Sequence, residues 1–522
     1  MNTFSEHVLS NRLCDLESPV IRKWFLQRER GQIVDGMKER LIGILGKENV
    51  SDDPKTLDAF AGDRSFARPI RPVMAVKVKD VGQVQSVVKW ANETKTPLVP
   101  VSSTGSHDRG DTVPSVPEAV VVDLSGMKKI HSINRQHRMA VVEPGVTYGE
   151  IQAALAKEGM TLSTAIAPKA TKSVLTSVLE VEPRLNALHQ WNFIDPLRCM
   201  EVVWGDGVRM YTGEAGGAPA EIEKQWASEK WQISGTGPMM LDFYRLLTAA
   251  QGSMGIATWA SLKCELLPQI HKMYFAAANK LEDLIDFVYR VIKLRFSDEL
   301  LIVNGTTLAN LIGESPDQIE TLRDRLPRWA VLIGIAGREL LPEERVKAHE
   351  ESITGIAQQY GQKMVPSIPG ATGDLVLSKL INPSGPKYWK ETYKGAFQDI
   401  FFVTTLDKTP NFINAMYALA IEEGYPVNDI GIYIQPQNCG TSYHLEFTLP
   451  YRAESAVETR RTKELFTKAS ELFSGMGGYY YRPYGIWSRM QLNKDAQSYM
   501  TLRKLKGIFD PNDIMNPGKL SI

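Results

Sequence analysis

Apolar positions recur along the chain in two rhythms, and the change between them marks out its elements. Ala67-Arg-Pro-Ile-Arg-Pro leads through prolines into Val73-Met-Ala-Val-Lys-Val, a strand-like run. Asp80 then stands as N-cap of a helix from Val81 to Thr94, with Val84, Val87, Val88 and Trp90-Ala91 on one face. Leu98, Val99 and Val101 form a second buried-strand run and Ala119 to Val122 a third. Strand, helix and strand in this compass have the spacing of a βαβ unit. Upstream, Val20 to Arg28 predicts a helical arm and Ile33 to Leu45 a helix striped by Met37, Leu41 and Leu45.

Met139-Ala-Val-Val is a strand stopped by Pro144-Gly145, and Thr147 caps a helix from Tyr148 to Glu158. Residues 161–199, interrupted by Pro168, Pro183 and Pro196, predict a long excursion over a site. Met200 to Met210 reads as a hairpin around Gly-Asp-Gly. A loop-like stretch at 211–240 and a helix from Leu241 to Ala250 precede Gln251-Gly-Ser-Met-Gly-Ile-Ala-Thr, a tight turn feeding a last strand that closes the first domain near Pro268.

From Gln269 strands and amphipathic helices alternate, among them a strand Tyr443 to Leu449 and a helix Glu454 to Ser474, predicting an α+β domain with helices over a mostly antiparallel sheet. Gly475-Met-Gly-Gly-Tyr-Tyr-Tyr-Arg-Pro-Tyr-Gly-Ile-Trp is an aromatic turn that belongs in a pocket, followed by a helix from Gln497 to Phe509. The expected division is an arm and domain start at 1–65, a first domain at 66–268, a cap at 269–474, and a segment at 475–522 that returns to the first domain.

Composition narrows the function. The chain has 522 residues and balances 60 basic against 60 acidic side chains, which removes the electrostatic reason to expect nucleic-acid or anionic-membrane binding. Cys14, Cys199, Cys264 and Cys439 lie far apart without ligand spacing, so no metal or cluster site is expected. The first residues lack a secretory pattern and no apolar run is long enough to span a membrane, so a cytoplasmic location is expected.

The most distinctive chemistry lies between the strands at Leu98 and Ala119. Ser102 to Asp111 holds two glycines and four small hydroxyl residues, a segment rich in unshielded backbone N–H groups. Such a loop suits a phosphate or pyrophosphate without needing a lysine.

These pieces, in order, resemble the vanillyl-alcohol oxidase superfamily, flavoproteins also called the para-cresol methylhydroxylase (PCMH) type. The resemblance rests on the strand and helix at Val73 to Trp90, the loop Pro100 to Pro114, Val120-Val-Val-Asp-Leu-Ser-Gly-Met, Val141-Val-Glu-Pro-Gly-Val-Thr-Tyr, and Ser173-Val-Leu. It continues through Met200-Glu-Val-Val with Gly-Asp-Gly, Gln251 to Thr258, and Asp510-Pro-Asn with Asn516-Pro-Gly-Lys. It implies an α+β fold with a two-part FAD-binding domain, a cap over the flavin ring and a C-terminal return. FAD contacts are implied at Ser102, Ser103, Thr104, Gly105, Ser106, His107, Pro144, Ser173, Val174, Gly255, Ile256 and Lys519. Several members carry a loop histidine bonded covalently to the flavin, and counting along the loop does not place His107 on it.

Val141 to Tyr148 and the pair Tyr481-Arg482 are most similar to the branch that oxidises para-substituted phenols, where tyrosine and arginine hold the substrate as phenolate. A guanidinium and a phenolic O–H favour that ionisation, which lowers the barrier to hydride loss from the benzylic carbon. The sequence departs from the branch at Arg109-Gly110, where a second tyrosine is usual, and at Ser173 to Pro183, which lacks the usual Gly-Asn and Arg-Gly. Arg109 and Arg482 together suit a small, acidic, aromatic substrate, and Arg109 alternatively contacts cofactor phosphate or solvent.

The leading expectation is an FAD-dependent oxidoreductase passing hydride from a benzylic or alcoholic C–H to flavin N5. Two alternatives stand beside it: a 2-hydroxy acid dehydrogenase using His444 for the hydroxyl proton, and a non-catalytic FAD-binding subunit of a redox complex. A homo-oligomer is expected, and an electron-acceptor protein subunit is a candidate partner.

Overall fold

A computed structural model describes residues 36–103, 105–188, 195–215, 223–224, 227, 243–492 and 494–522. The expected arm at 20–28, residues 33–35 of the first helix, Thr104, and most of the loop at 211–240 lie outside the described residues.

Among the described residues the first domain holds two main sheets and a two-stranded pair, Met160–Thr161 with Glu265–Leu266. Strands Met74–Lys77 and Leu98–Val101 flank Val120–Asp123 in parallel, and the short strand Val50–Ser51 adds to the edge antiparallel. The helix Val81–Thr94 makes the crossover, its Asp80 side chain accepting from Gln83 N as an N-cap. Val84, Val87, Val88 and Trp90 are buried against the sheet. A second, antiparallel sheet runs Ile130–Asn134, Met139–Val142, Gly255–Lys263, Leu197–Trp204, Arg209–Tyr211. Tyr148–Lys157 packs on it behind a reciprocal capping box between Thr147 and Glu150.

The cap is built on a seven-stranded sheet, in the order Met364–Val365, Ile270–Ala278, Trp329–Gly337, Glu299–Asn304, Gly431–Gln437, Ser442–Tyr451, Ala396–Thr404, every pairing antiparallel. Trp329–Gly337 and Glu299–Asn304 read as near-continuous apolar runs because helices cover both faces; Ile302 and Leu301, successive residues of one strand, belong to two separate cores. The tail rejoins the first domain: Leu98 N donates to Ile514 O at 2.7 Å, and Asn516 Nδ2 donates to Asp111 O and Gln251 O at 2.9 and 2.7 Å.

The architecture is thus the expected α+β arrangement, with local differences. Of the helix expected from Leu241 to Ala250, residues 241–242 lie outside the described residues and the rest forms a single turn, Tyr244–Leu247, after which Thr248 turns to extended backbone. The excursion at 161–199 contains a helix, Val174–Leu179, and the cap has two helices, Gly305–Ile312 and Gly373–Ile381, that apolar runs too short for a visible stripe had concealed.

Candidate active site

A cleft with about 1470 Å³ of empty space separates the Ser102 to Thr112 loop from the short helix Val174–Leu179 and reaches cap residues Tyr388 and Phe397. Leu124, Leu175, Leu179, Leu247 and Ile256 give it apolar walls, and Ser102, Ser103 and Ser106 bring hydroxyls to one side. Apolar planes beside a small-residue loop fit an extended dinucleotide: flat rings against the aliphatic walls and pyrophosphate against the loop donors.

The loop is held from several directions. Ser103 Oγ accepts from Ser173 N at 3.0 Å, and the hydroxyls of Ser102 and Thr176 are hydrogen-bonded to each other. Lys169 Nζ donates to Ser106 O at 3.0 Å and to Asp108 Oδ2 at 2.6 Å, while Asp63 Oδ2 accepts from Gly110 N at 2.6 Å. A site so braced is preorganised before any ligand arrives.

Of the residues singled out for the cofactor, Ser102, Ser103, Ser106, His107, Pro144, Gly255 and Ile256 line this cleft. Gly105 lines a smaller neighbouring cavity, at φ +86°, with Thr171 Oγ1 only 3.1 Å from where a Cβ would sit. Ser173 is fully buried, its Oγ accepting from Thr176 N at 3.1 Å as the helix cap, and Val174 lies in the core beneath. Lys519 stands off the cleft and braces the loop, donating to Gly110 O and Val113 O at 2.7 and 2.8 Å.

Where the cleft meets the cap, charged groups are packed in pairs. Arg109 donates to Asp399 Oδ2 at 2.9 Å; Lys390 donates to the same oxygen at 2.9 Å and also to Glu446. Arg482 donates to Glu180 Oε2 at 2.9 Å and has Glu182 Oε1 at 3.6 Å. Lys172 contacts the same two carboxylates at 2.8 and 2.6 Å. Burial opposes charge on Glu182 and Glu446, yet the neighbouring ammonium and guanidinium groups outweigh it and hold both carboxyls well below their usual range. Both arginines lie over Phe401, each guanidinium carbon 4.8 Å from the ring centre.

Tyr481, Arg482 and His444 lie behind the cleft lining, joined to it through Glu180 and Tyr484. Tyr481 is half-buried and its hydroxyl is 3.0 Å from His444 Nδ1. His444 is wholly buried, its Nε2 3.5 Å from Glu446 Oε2. Burial depresses its pKa, with Glu446 only partly offsetting, so the ring is neutral near pH 7. Arg482 is 2% exposed, and its Nε–H has no hydrogen-bond partner. A buried unpaired donor beside a tyrosine is suited to a ligand oxygen.

The residues missed from sequence are the balancing carboxylates and lysine: Glu180, Glu182, Asp399, Glu446 and Lys390. A signal existed in Tyr443-His-Leu-Glu-Phe, where His444 and Glu446 share one face of the strand and alternate with apolar Tyr443, Leu445 and Phe447.

Fold and cleft together define an FAD-binding oxidoreductase. A model of the FAD binding domain matches residues 72–178, and one of the C-terminal domain of FAD linked oxidases matches 402–520. Along its length the chain is similar to the flavoprotein subunit of 4-cresol dehydrogenase (hydroxylating) of Pseudomonas putida, 23% identical over 93% of this chain and 95% of that one. It is 22% identical to D-2-hydroxyglutarate dehydrogenase of Stutzerimonas stutzeri over 92% of this chain and 98% of that one. Its fold superposes on p-cresol methylhydroxylase with substrate bound, with TM-score 0.79 and 19% identity over 95% and 97% of the two chains. The chain is an FAD-linked oxidoreductase, and its fold is of the PCMH type.

Among the described residues no helix is long and apolar enough to cross a membrane.

Proposed function

We propose that the protein oxidises a small para-substituted phenol or aromatic alcohol at its benzylic carbon, with the acidic oxygen held by Tyr481 and Arg482. FAD, when bound, supplies the hydride acceptor. Ser102, Ser103, Ser106 and His107 would hold its pyrophosphate, and Gly255 and Ile256 its adenine end.

One observation carries this reading: Arg482 Nε–H is buried without a partner, while one terminal nitrogen of the same guanidinium is committed to Glu180. The guanidinium therefore keeps a buried donor, Nε–H, that a phenolic oxygen beside Tyr481 would satisfy. Tyr481 adds a second donor, its hydroxyl, backed by His444. Donors fixed beside the oxygen favour its ionised form and so ease hydride loss from the benzylic carbon of the para substituent.

The similarity to D-2-hydroxyglutarate dehydrogenase keeps a hydroxy-acid reading in view, but Arg109 and Arg482 already have carboxylate partners. Anaerobic mixing with para-alkylphenols and, separately, with D-2-hydroxy acids separates the two. Bleaching of the flavin band by the phenols alone is expected; bleaching by the acids alone would overturn the proposal.

A further inference from the structure

Tyr481 and His444 form a hydrogen-bonded pair that runs from a half-buried tyrosine into a sealed interior. Tyr481 comes from the returning tail and retains some accessible surface. His444 comes from the cap strand Ser442–Tyr451 and has none. The ring is walled by Phe401 and Tyr433, at centroid distances of 5.8 and 5.0 Å. Its charged neighbours are Glu446 on its own strand, Lys390 beyond Glu446, and Arg482 on the tail. No path to solvent opens at the imidazole, so a proton reaching Nδ1 comes through Tyr481.

We propose that His444 stores the substrate's hydroxyl proton, received through Tyr481, that Glu446 clamped by Lys390 positions it, and that the site therefore selects substrates that enter uncharged. This rests on the phenol reading above. The transfer balances within the site. The substrate O–H bond breaks and its proton passes to the Tyr481 oxygen, while the Tyr481 proton passes to His444 Nδ1. Phenolate and imidazolium appear together, so the net buried charge is unchanged. Glu446 on the Nε2 side favours the tautomer whose Nδ1 accepts, and the imidazolium then faces a carboxylate.

The surrounding pairs set the charge selection. Arg109 is matched by Asp399, Arg482 by Glu180 and Glu182, and Lys390 by Asp399 and Glu446. A permanent anion would enter a region whose cations are already paired, and its charge would be buried without compensation. A neutral phenol brings its own counter-ion in the form of its proton. Lys390 and Glu446 are positioning residues, and Tyr481 is the group that touches the substrate.

The test uses oxidised holoenzyme and 4-nitrophenol, whose ionised form is yellow, in weakly buffered solution acid enough that the free dye is colourless. Wild type is expected to bind the dye as yellow phenolate without releasing a proton to a pH indicator. Glu446→Gln is expected to bind it with the midpoint of colour against pH moved upward, and Tyr481→Phe, which leaves the buried charges untouched, to bind it colourless. In wild type 4-ethylphenol should displace the dye about tenfold or more better than the anion 4-hydroxybenzoate. Release of one proton on wild-type binding, or yellow dye in Tyr481→Phe, would overturn the proton store. Equal displacement by the anion would overturn the charge selection. Failure of wild type to bind the dye or 4-ethylphenol at all would instead overturn the phenol reading on which this rests.

Discussion

Replacing Asp399 by Asn tests whether Arg109 belongs to the protein's own charge balance. Asp399 is 1% exposed and accepts from Arg109 and Lys390, both at 2.9 Å, through one oxygen and from Thr448 Oγ1 at 2.8 Å through the other. Asparagine keeps the shape and the Thr448 bond but removes the charge. Lys390 retains Glu446; Arg109, whose side chain is 19% exposed, loses its carboxylate. Breaking a buried pair from one side costs about 3–5 kcal/mol. At about 2–4 °C per kcal/mol for a unit the size of the cap, the unfolding midpoint should fall by roughly 6–20 °C. Adding Arg109→Met to Asp399→Asn removes the stranded cation and should recover about 1–3 kcal/mol, a coupling within the usual range for residues in contact. Thermal unfolding followed by circular dichroism reads both. A loss below about 1 kcal/mol, the value of a solvated surface pair, or strict additivity in the double variant, would refute the reasoning and return Arg109 to the role of a free substrate-binding cation.

Three further outcomes follow from single sites. His444 is buried and its pKa depressed, so the unfolded chain takes up a proton near the ordinary histidine pKa of about 6.5 while the folded chain does not. Its contribution to stability is full above that pH and declines as pH falls below it, so urea midpoints of wild type and His444→Gln should converge between neutrality and mild acid; parallel curves would contradict this. Gly252 lines the cleft at φ +70°, where a Cβ would overlap Pro100, so Gly252→Ala should cost at least about 1–2 kcal/mol of backbone strain and weaken FAD retention, measured by flavin released on gel filtration. Burial pushes the Cys264 thiol up to about 12, so maleimide should leave it unlabelled in the folded protein and label it in urea, read by peptide mass mapping.

Local features were legible from sequence wherever physics acts over a few residues. Asp80 and Thr147 read as caps because an N-cap needs only a side-chain oxygen and a free N–H three residues on, and both make that bond. The Ser102 to Asp111 loop stood out because a pile-up of small residues between buried strands leaves backbone N–H groups unshielded, although such clusters also mark ordinary surface loops. The charge pairs were not legible. Arg109 and Asp399 are 290 residues apart in the chain, and Arg482 and Glu180 are 302 apart, so their neutrality appears only when the cap sheet and the tail meet the loop. Read singly, each arginine invited an external anion. Folded, each has a carboxylate. Lys519 illustrates the same limit: a lysine in a motif at the tail suggested a contact with FAD, and it donates to two backbone carbonyls.

The most direct test of the account is anaerobic reduction of the bound flavin by a para-alkylphenol, by the same compound deuterated at the benzylic carbon, and by its methyl ether. The account predicts rapid bleaching by the phenol, a severalfold slower rate with deuterium, and none with the ether, which has no proton to give. Equal bleaching by phenol and ether would contradict it.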